Sequence, residues 1–219
     1  MKDPLEDALD GEEDALDEEE ELWWKGPIKI ILAVFLLLII ITWTFAVYAG
    51  KINPSPSVIP TITEVVPYIE LNNISYKINR NDYYTLIYPM EPVIKQTADR
   101  IATFSCDSNR ICQAKALYYF VRNNYEYVSD PVQNEYIKDP KEFLSIGSGD
   151  CEDGAIALAN LMEAIGISAE FVFIPSHALI RIKLPEASKR YKINGFVYLD
   201  WTCKNCEFGE VSLNVMEYI

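Results

Sequence analysis

A run of 20 residues without a charged side chain, from Ile30 to Ala49, constrains this chain more than any other feature. As a helix rising about 1.5 Å per residue, the run is roughly 30 Å long, which matches the hydrocarbon core of a bilayer. Aromatic residues, which favour the lipid interface, lie near its ends: Trp23, Trp24, Trp43 and Tyr48. The run therefore predicts a transmembrane helix over residues 27–49, with the lipid bilayer as its partner.

A cleavable signal peptide is the closest alternative, because Val47-Tyr48-Ala49 has the small-residue spacing that signal peptidase accepts. The apolar run, however, exceeds the roughly 7–15 residues of a signal peptide's apolar region, and a long polar segment precedes it. An uncleaved single-pass anchor is therefore expected. Lys25 and Lys29 precede the span and only Lys51 follows it closely, so a cytoplasmic N-terminus and an extracytoplasmic C-terminal domain are predicted.

The net charge of −14 is concentrated at the N-terminus, where residues 1–25 hold 12 acidic and two basic side chains. This composition predicts a disordered tail over residues 1–26. Within it, residues 6–10 and 13–17 form a weak repeat whose leucines could offer a transient helical face, so a partner of the acidic tail remains an alternative. The rest of the chain has no basic excess, and nucleic-acid binding is not expected.

The region after the span divides into a linker and one domain. Residues 50–67 contain four prolines and no helical period, which predicts an extended linker. In the domain, residues 68–219, two short stretches favour β-structure, Tyr68 to Leu71 and Tyr83 to Tyr88, and Asn73 begins a glycosylation sequon.

Further along the domain, helical periods are followed by strand periods. This order predicts an α+β fold, with helices packed on an antiparallel sheet. The predicted helices are Pro92 to Phe104, Arg110 to Asn123 and Asp150 to Gly166, and the predicted strands are Glu170 to Ile174, His177 to Leu184 and Gly195 to Asp200.

The third helix begins with a cysteine. Asp150 is a good N-cap, and Asp153 three residues later resembles a capping box, so Cys151 is the first helical residue. Unpaired backbone N–H groups and the helix dipole favour a thiolate there. The acidic neighbours Asp150, Glu152 and Asp153 disfavour it, so a cationic partner is needed.

His177 is the only histidine in the chain. If its strand pairs with the next one so that Leu184 lies opposite Ile193, His177 lies opposite Asp200. Opposed residues have Cβ atoms about 4.5–5.5 Å apart, within reach of a carboxylate–imidazole hydrogen bond. Asp200 would then orient the imidazole.

The segment GSGDCEDGAIALANLMEAIGISAEFVF, a histidine on the following strand and Tyr198-Leu-Asp-Trp-Thr202 together resemble the transglutaminase-like superfamily, which has the papain-like cysteine-protease fold. The resemblance is to its prokaryotic, membrane-anchored type and covers residues 92–205. It implies Cys151 as nucleophile, His177 as general base and acid, and Asp200 as the orienting residue. Leu179 departs from the family's usual aromatic residue, which bears on substrate fit.

This resemblance also implies a reaction class. A thiol enzyme of this family transfers or hydrolyses the acyl group of an amide or peptide bond in a protein or peptide substrate. No cofactor or metal is predicted for this chain. An inactive relative that binds peptide or glycan in the same cleft is the alternative.

The remaining four cysteines form an even set, which predicts two disulfides in an extracytoplasmic domain. A four-cysteine zinc site is the competing interpretation, since two of these residues have knuckle-like spacing. The four are Cys106, Cys112, Cys203 and Cys206.

Overall fold

The computed structural model describes residues 26–69, 80–131 and 136–219, which fall into two units, Met1–Lys51 and Ile52–Ile219. The predicted acidic tail up to residue 25 and the sequon at Asn73 lie outside the described residues.

The first unit contains one long helix, α1 (Pro27–Ile52). Its segment Pro27–Tyr48 is long and apolar enough to cross a membrane. The Thr42 hydroxyl donates to the Leu38 carbonyl at 2.9 Å, so it is satisfied within the helix. This helix is compatible with single-pass membrane anchoring.

The second unit is a mixed helical and sheet domain, as the sequence predicts. Strands β3, β4 and β5 form an antiparallel sheet in that order, and β1 pairs with β2 in parallel. The elements are α2 (Ile62–Val65), a 3₁₀ helix (Arg80–Leu86), α3 (Pro92–Ser105), α4 (Arg110–Asn124), β1 (Glu126–Tyr127), α5 (Pro140–Ile146), β2 (Ser148–Gly149), α6 (Cys151–Ala164), β3 (Ala169–Ile174), β4 (His177–Ile182), a second 3₁₀ helix (Lys189–Tyr191), β5 (Val197–Leu199) and α7 (Leu213–Met216).

Helix α6 is the centre of this domain. All of its residues except Glu163 are buried. It packs against α3, α4 and α5 and against strands β3 and β4. Small side chains at Ala155, Ala157 and Ala159 let neighbouring elements approach closely, which explains why this helix is apolar almost all round.

The segment predicted as an extended linker, residues 50–67, is packed on the domain from residue 53 onward. The ammonium group of Lys115, on α4, is buried and donates to Asn53 Oδ1 at 2.6 Å and to the Pro54 carbonyl at 3.1 Å. Ser57 N donates to the Ser105 carbonyl, and Val65 is only 1% exposed. Because a buried ammonium group needs polar partners, the segment stays docked on α3 and α4.

The stretch from Tyr83 to Tyr88, predicted to favour β-structure, is largely a 3₁₀ helix. With three residues per turn, Tyr83 and Leu86 point to the same side, where both are buried against Ile156 of α6. Its companion stretch, Tyr68 to Leu71, lies partly outside the described residues.

The predicted register between the last two strands is wrong by two residues. In the structure Ile180 pairs with Leu199, and Ile182 pairs with Val197. Ile193 is bridged to Phe196 across Asn194 and Gly195, which both have positive φ, 53° and 86°. This tight Asn-Gly turn makes β5 shorter than the strand predicted from Gly195 to Asp200.

A shift of two residues leaves each side chain on the same face of the sheet. His177 and Asp200 therefore become diagonal rather than direct neighbours, and remain within reach of each other.

Gly154, in the first turn of α6, provides a test of this packing. A Cβ at this position would lie 2.2 Å from Trp201, whose indole is 1% exposed. We expect Gly154→Ala to lower the free energy of unfolding by about 1–3 kcal/mol, as overpacking does. Helix propensity alone would raise it by about 1 kcal/mol.

The measurement is urea unfolding of the wild type and the variant, repeated in a Trp201→Leu background. Removing the indole should relieve the penalty in the double variant. A stabilising Gly154→Ala in the wild-type background would contradict this account.

Candidate active site

Cys151 is the first residue of α6, and a capping box fixes its backbone. Asp153 N donates to Asp150 Oδ1 at 3.3 Å, and Asp150 N donates to Asp153 Oδ2 at 3.2 Å. Asp153 also accepts hydrogen bonds from the backbone N–H and the ammonium group of Lys138, each at 2.7 Å. Trp201 Nε1 donates to the Cys151 carbonyl at 3.1 Å. The start of the helix is thus held by its own capping box and by two segments distant in sequence, at Lys138 and at Trp201.

The thiol of Cys151 is 8% exposed and belongs to no disulfide. Its Sγ donates to Glu152 Oε2 at 2.9 Å. Burial, followed by this hydrogen bond and the Glu152 charge, raises the pKa of the thiol to about 12, against the opposing effect of a backbone hydrogen bond from Ala178. In this state, therefore, the helix terminus alone does not hold a thiolate, because burial, reinforced by the Glu152 carboxylate, keeps the thiol protonated.

His177, the first residue of β4, is joined to Asp200. His177 Nε2 lies 3.0 Å from Asp200 Oδ2. The other carboxylate oxygen, Oδ1, accepts from Thr202 N at 3.1 Å and from Thr202 Oγ1 at 2.7 Å. Burial acts to raise the pKa of Asp200, but the hydrogen bonds from His177 and Thr202 hold it below its ordinary value.

A charged Asp200 carboxylate is a hydrogen-bond acceptor only, so it fixes the proton on Nε2 of the imidazole. The second ring nitrogen, Nδ1, then has a lone pair with which it can accept a proton.

The cysteine and the histidine line one cavity of about 250 Å³. Its described lining also includes three carboxylates, Asp130, Asp150 and Glu152. Burial, then the charges of Asp153 and Glu152, raise the pKa of Asp150 to about 8. This first cavity is thus acidic, and the carboxylates repel one another and any thiolate.

A second cavity, of about 530 Å³, is lined by His177 and Asp200 but not by Cys151. The structure thus brings Cys151 and His177 to one cavity and joins His177 to Asp200. The thiol donates its hydrogen bond to Glu152.

Three residues that hold the site in place were not predicted from the sequence: Lys138, Trp201 and Thr202. Thr202 was detectable, because a hydroxyl residue two positions after an aspartate commonly bonds back to its carboxylate in a local turn. Lys138 and Trp201 could not be predicted from the sequence, because each contacts α6 across a long sequence separation.

The four outer cysteines are paired. The sulfur atoms of Cys106 and Cys112 lie 2.00 Å apart, and those of Cys203 and Cys206 lie 1.90 Å apart. The alternative of a four-cysteine zinc site is therefore wrong, because disulfide sulfurs are no longer available as thiolate ligands. Among the residues that the structure describes, no group of three or more His, Cys, Asp or Glu is placed to hold a metal ion.

Comparison with known proteins gives one family match. Residues 95–193 match the family model described as the transglutaminase-like superfamily. A search of curated proteins found no match.

Two solved structures are similar at low identity. One is a candidate cysteine protease from Cytophaga hutchinsonii, 18% identical, with a TM-score of 0.39; the match covers 64% of this chain and only 46% of that one. The other is calcium-bound LapG from Legionella pneumophila, 20% identical, with a TM-score of 0.36, covering 60% of this chain and 77% of that one.

The bond between the thiol and Glu152 predicts how Cys151 reacts. We expect Glu152→Gln to lower the pKa of the Cys151 thiol, because it removes a negative charge and weakens the acceptor that stabilises the protonated form. The rate of alkylation by iodoacetamide at pH 8 should rise by about tenfold or more, since each pKa unit changes the thiolate fraction tenfold.

The measurement is the alkylation rate across pH, followed by mass spectrometry of the peptide that contains Cys151. Glu163→Gln makes the same change near the other end of α6 and should leave the rate unchanged. Equal rates in the wild type and Glu152→Gln would show that Glu152 does not control the thiol.

Proposed function

Since residues 95–193 of this chain form a transglutaminase-like core, we propose that the protein is a membrane-anchored thiol enzyme acting on an amide or peptide bond. The observation that supports the proposal is that Cys151 and His177 line one cavity, with Asp200 hydrogen-bonded to Nε2 of the imidazole. Nucleophile, base and orienting carboxylate are the three groups that acyl transfer by a thiol requires.

In the proposed first step, His177 takes the thiol proton on Nδ1 and the Cys151 sulfur attacks the carbonyl carbon of the substrate. A tetrahedral intermediate forms, its oxyanion facing the backbone N–H groups at the start of α6. The carbon–nitrogen bond then breaks, and the leaving amine receives the proton from His177. The product of this step is a thioester on Cys151.

In the second step, water or another amine attacks the thioester carbonyl and gives its proton to His177. The carbon–sulfur bond breaks and the sulfur recovers the proton. Water yields hydrolysis, and an amine yields transamidation. Throughout, Asp200 holds the imidazole and stabilises its charged form.

For this cycle to begin, the thiol must exchange its hydrogen bond to Glu152 for one to His177. The described arrangement is therefore a resting state. In the proposed cycle, substrate binding brings a carbonyl to the sulfur, and the thiol proton passes from sulfur to the imidazole of His177 as the carbon–sulfur bond forms.

The same resting arrangement favours a second candidate function. A thiol held protonated by Glu152 is a poor nucleophile, as expected of an inactive relative that binds peptide or glycan in this cleft. The two candidates differ in whether a covalent thioester forms on Cys151.

Membrane anchoring is the second part of the proposal. Helix α1 supports a single span, and the two disulfides support placement of the domain on the extracytoplasmic side, with the N-terminus in the cytoplasm. The expected substrate is a protein or peptide at the membrane surface.

Thioester formation tests the enzymatic proposal. With a mixture of synthetic peptides, the full-length protein in detergent should give an acyl adduct on Cys151, detected by mass spectrometry after acid quench. His177→Ala should slow acylation by about 10²–10⁴-fold, the usual contribution of a general base. Asp200→Asn should slow it by about tenfold or more, because an amide no longer stabilises the imidazolium.

Asp107→Asn, at an exposed position, is the matched control for Asp200→Asn and should leave acylation unchanged. Cys151→Ala should form no adduct. Peptide binding without any adduct in the wild type would favour the binding module over the enzyme.

Disulfide pairing tests the proposed orientation. In protein prepared from membranes without reductant and denatured in the presence of an alkylating agent, we expect modification of Cys151 and protection of Cys106, Cys112, Cys203 and Cys206. Reduction before alkylation should allow modification of all five cysteines. Five reactive thiols without reductant would place the domain in a reducing compartment.

A further inference from the structure

The second cavity has a chemistry different from that of the first. Its described lining contains no lysine, arginine or glutamate, and its one aspartate, Asp200, is already bonded to His177 and Thr202. Apolar side chains form a large part of its wall: Ile174, Pro175, Val215 and Tyr218. Such a lining favours a neutral, apolar group, because a charged group would lose its hydration while the one described carboxylate, Asp200, is 2% exposed and already hydrogen-bonded to His177 and Thr202.

Short polar side chains also line this cavity. Ser212 and Asn214 come from the C-terminal segment, and Ser176 precedes His177. Their hydroxyl and amide groups can pair with the main chain of an extended peptide, which needs both donors and acceptors. The cavity therefore combines apolar walls with a few orienting polar groups, the usual composition of a site for an organic ligand.

The cavity is built from two distant parts of the chain. Val215, in α7, is 3% exposed and packs in one cluster with Leu179 of β4 and Tyr198 of β5. This anchors the C-terminal segment on the sheet. Tyr218 is 58% exposed, so its ring adds to the wall without being part of the core.

The position of the second cavity relative to the proposed reacting residues indicates which part of a substrate would occupy it. The second cavity reaches His177 and Asp200 but not Cys151, whereas the first reaches both Cys151 and His177. In acyl transfer, the acyl portion of the substrate bonds to the sulfur, while the leaving amine only exchanges a proton with the imidazole. The group that meets the histidine without meeting the sulfur is therefore the leaving-group side.

We propose that the second cavity is the leaving-group subsite of this enzyme and that it selects an apolar side chain on the amine side of the scissile bond. This inference rests on the proposed thiol-enzyme function. The substrate class is then a peptide with a leucine-like residue following the cleaved bond, and Tyr218 and Ser212 are specificity-determining residues.

Filling the cavity provides the main test. Ser212 precedes α7 and makes no side-chain capping hydrogen bond, so Ser212→Trp adds bulk without removing a cap. The full-length protein in detergent is assayed with peptides that differ only in leucine, lysine or glutamate after the scissile bond. A further peptide carries a primary amide at this bond, so that its leaving group is ammonia.

The wild type should prefer leucine over lysine and glutamate by about tenfold or more in kcat/KM, the range expected when a hydrophobic pocket discriminates side chains. Ser212→Trp should reduce this preference to within about twofold, and turnover of the leucine peptide should fall more than turnover of the primary amide, whose leaving group does not fill the cavity. Tyr218→Ala should weaken the preference in the same direction. Ser145→Trp and Tyr68→Ala are the matched controls, since both residues are exposed and neither lines the cavity.

Binding to the Cys151→Ala variant separates this inference from the proposed function. If no peptide is turned over, the enzymatic proposal fails. The apolar subsite still stands if fluorescein-labelled leucine peptides bind to Cys151→Ala and bind more weakly to the double variant Cys151→Ala, Ser212→Trp. Turnover or binding without a leucine preference, or a preference that both Ser212→Trp and Tyr218→Ala leave intact, overturns the subsite.

Discussion

The buried start of α6 is the constraint on which the rest of the domain depends. Asp153 is fully buried, so its carboxylate is stable there only because Lys138, Asp150 and the helix terminus supply donors. Burial raises the pKa of Asp153, and the hydrogen bonds and charge of Lys138 oppose that change. Because the helix cannot shift without breaking this set, the position of Cys151 relative to the sheet is fixed by the same contacts that stabilise the core.

Around the thiol, the charge of the helix N-terminus and the charges of nearby carboxylates have opposite effects on the thiolate. A helix N-terminus attracts negative charge, yet this one already meets three carboxylates within four residues, Asp150, Glu152 and Asp153. The buried thiol therefore stays protonated and bonds to Glu152. The imidazole–carboxylate pair is fully formed, and its imidazole lines the same cavity as the thiol. A cysteine held in this protonated state is protected from oxidation, since the thiolate is the reactive form.

The sheet and the loop after it assemble the remainder of the site. Trp201 and Thr202 follow Asp200 directly; the indole covers Gly154 and holds the Cys151 carbonyl, while the threonine holds the carboxylate. Tyr118 of α4 donates to the Asp200 and Cys206 carbonyls, tying this loop to the helical layer. Two cavities of different chemistry then meet at His177, and the proposed function assigns one to the acyl side and the other to the amine side of a substrate.

The sequence by itself determined the local features: the apolar span, the capping box before Cys151, the helices and strands of the core, and the candidates His177 and Asp200. These follow from periodicity, caps and residue chemistry, which act over a few positions. Only the tertiary structure decided the strand register, the docking of the segment from residue 53 onward on α3 and α4, and the partner of the thiol. Each of these depends on burial and on contacts between residues far apart in the chain, where desolvation changes the balance of hydrogen bonds and charge that neighbouring residues alone would set.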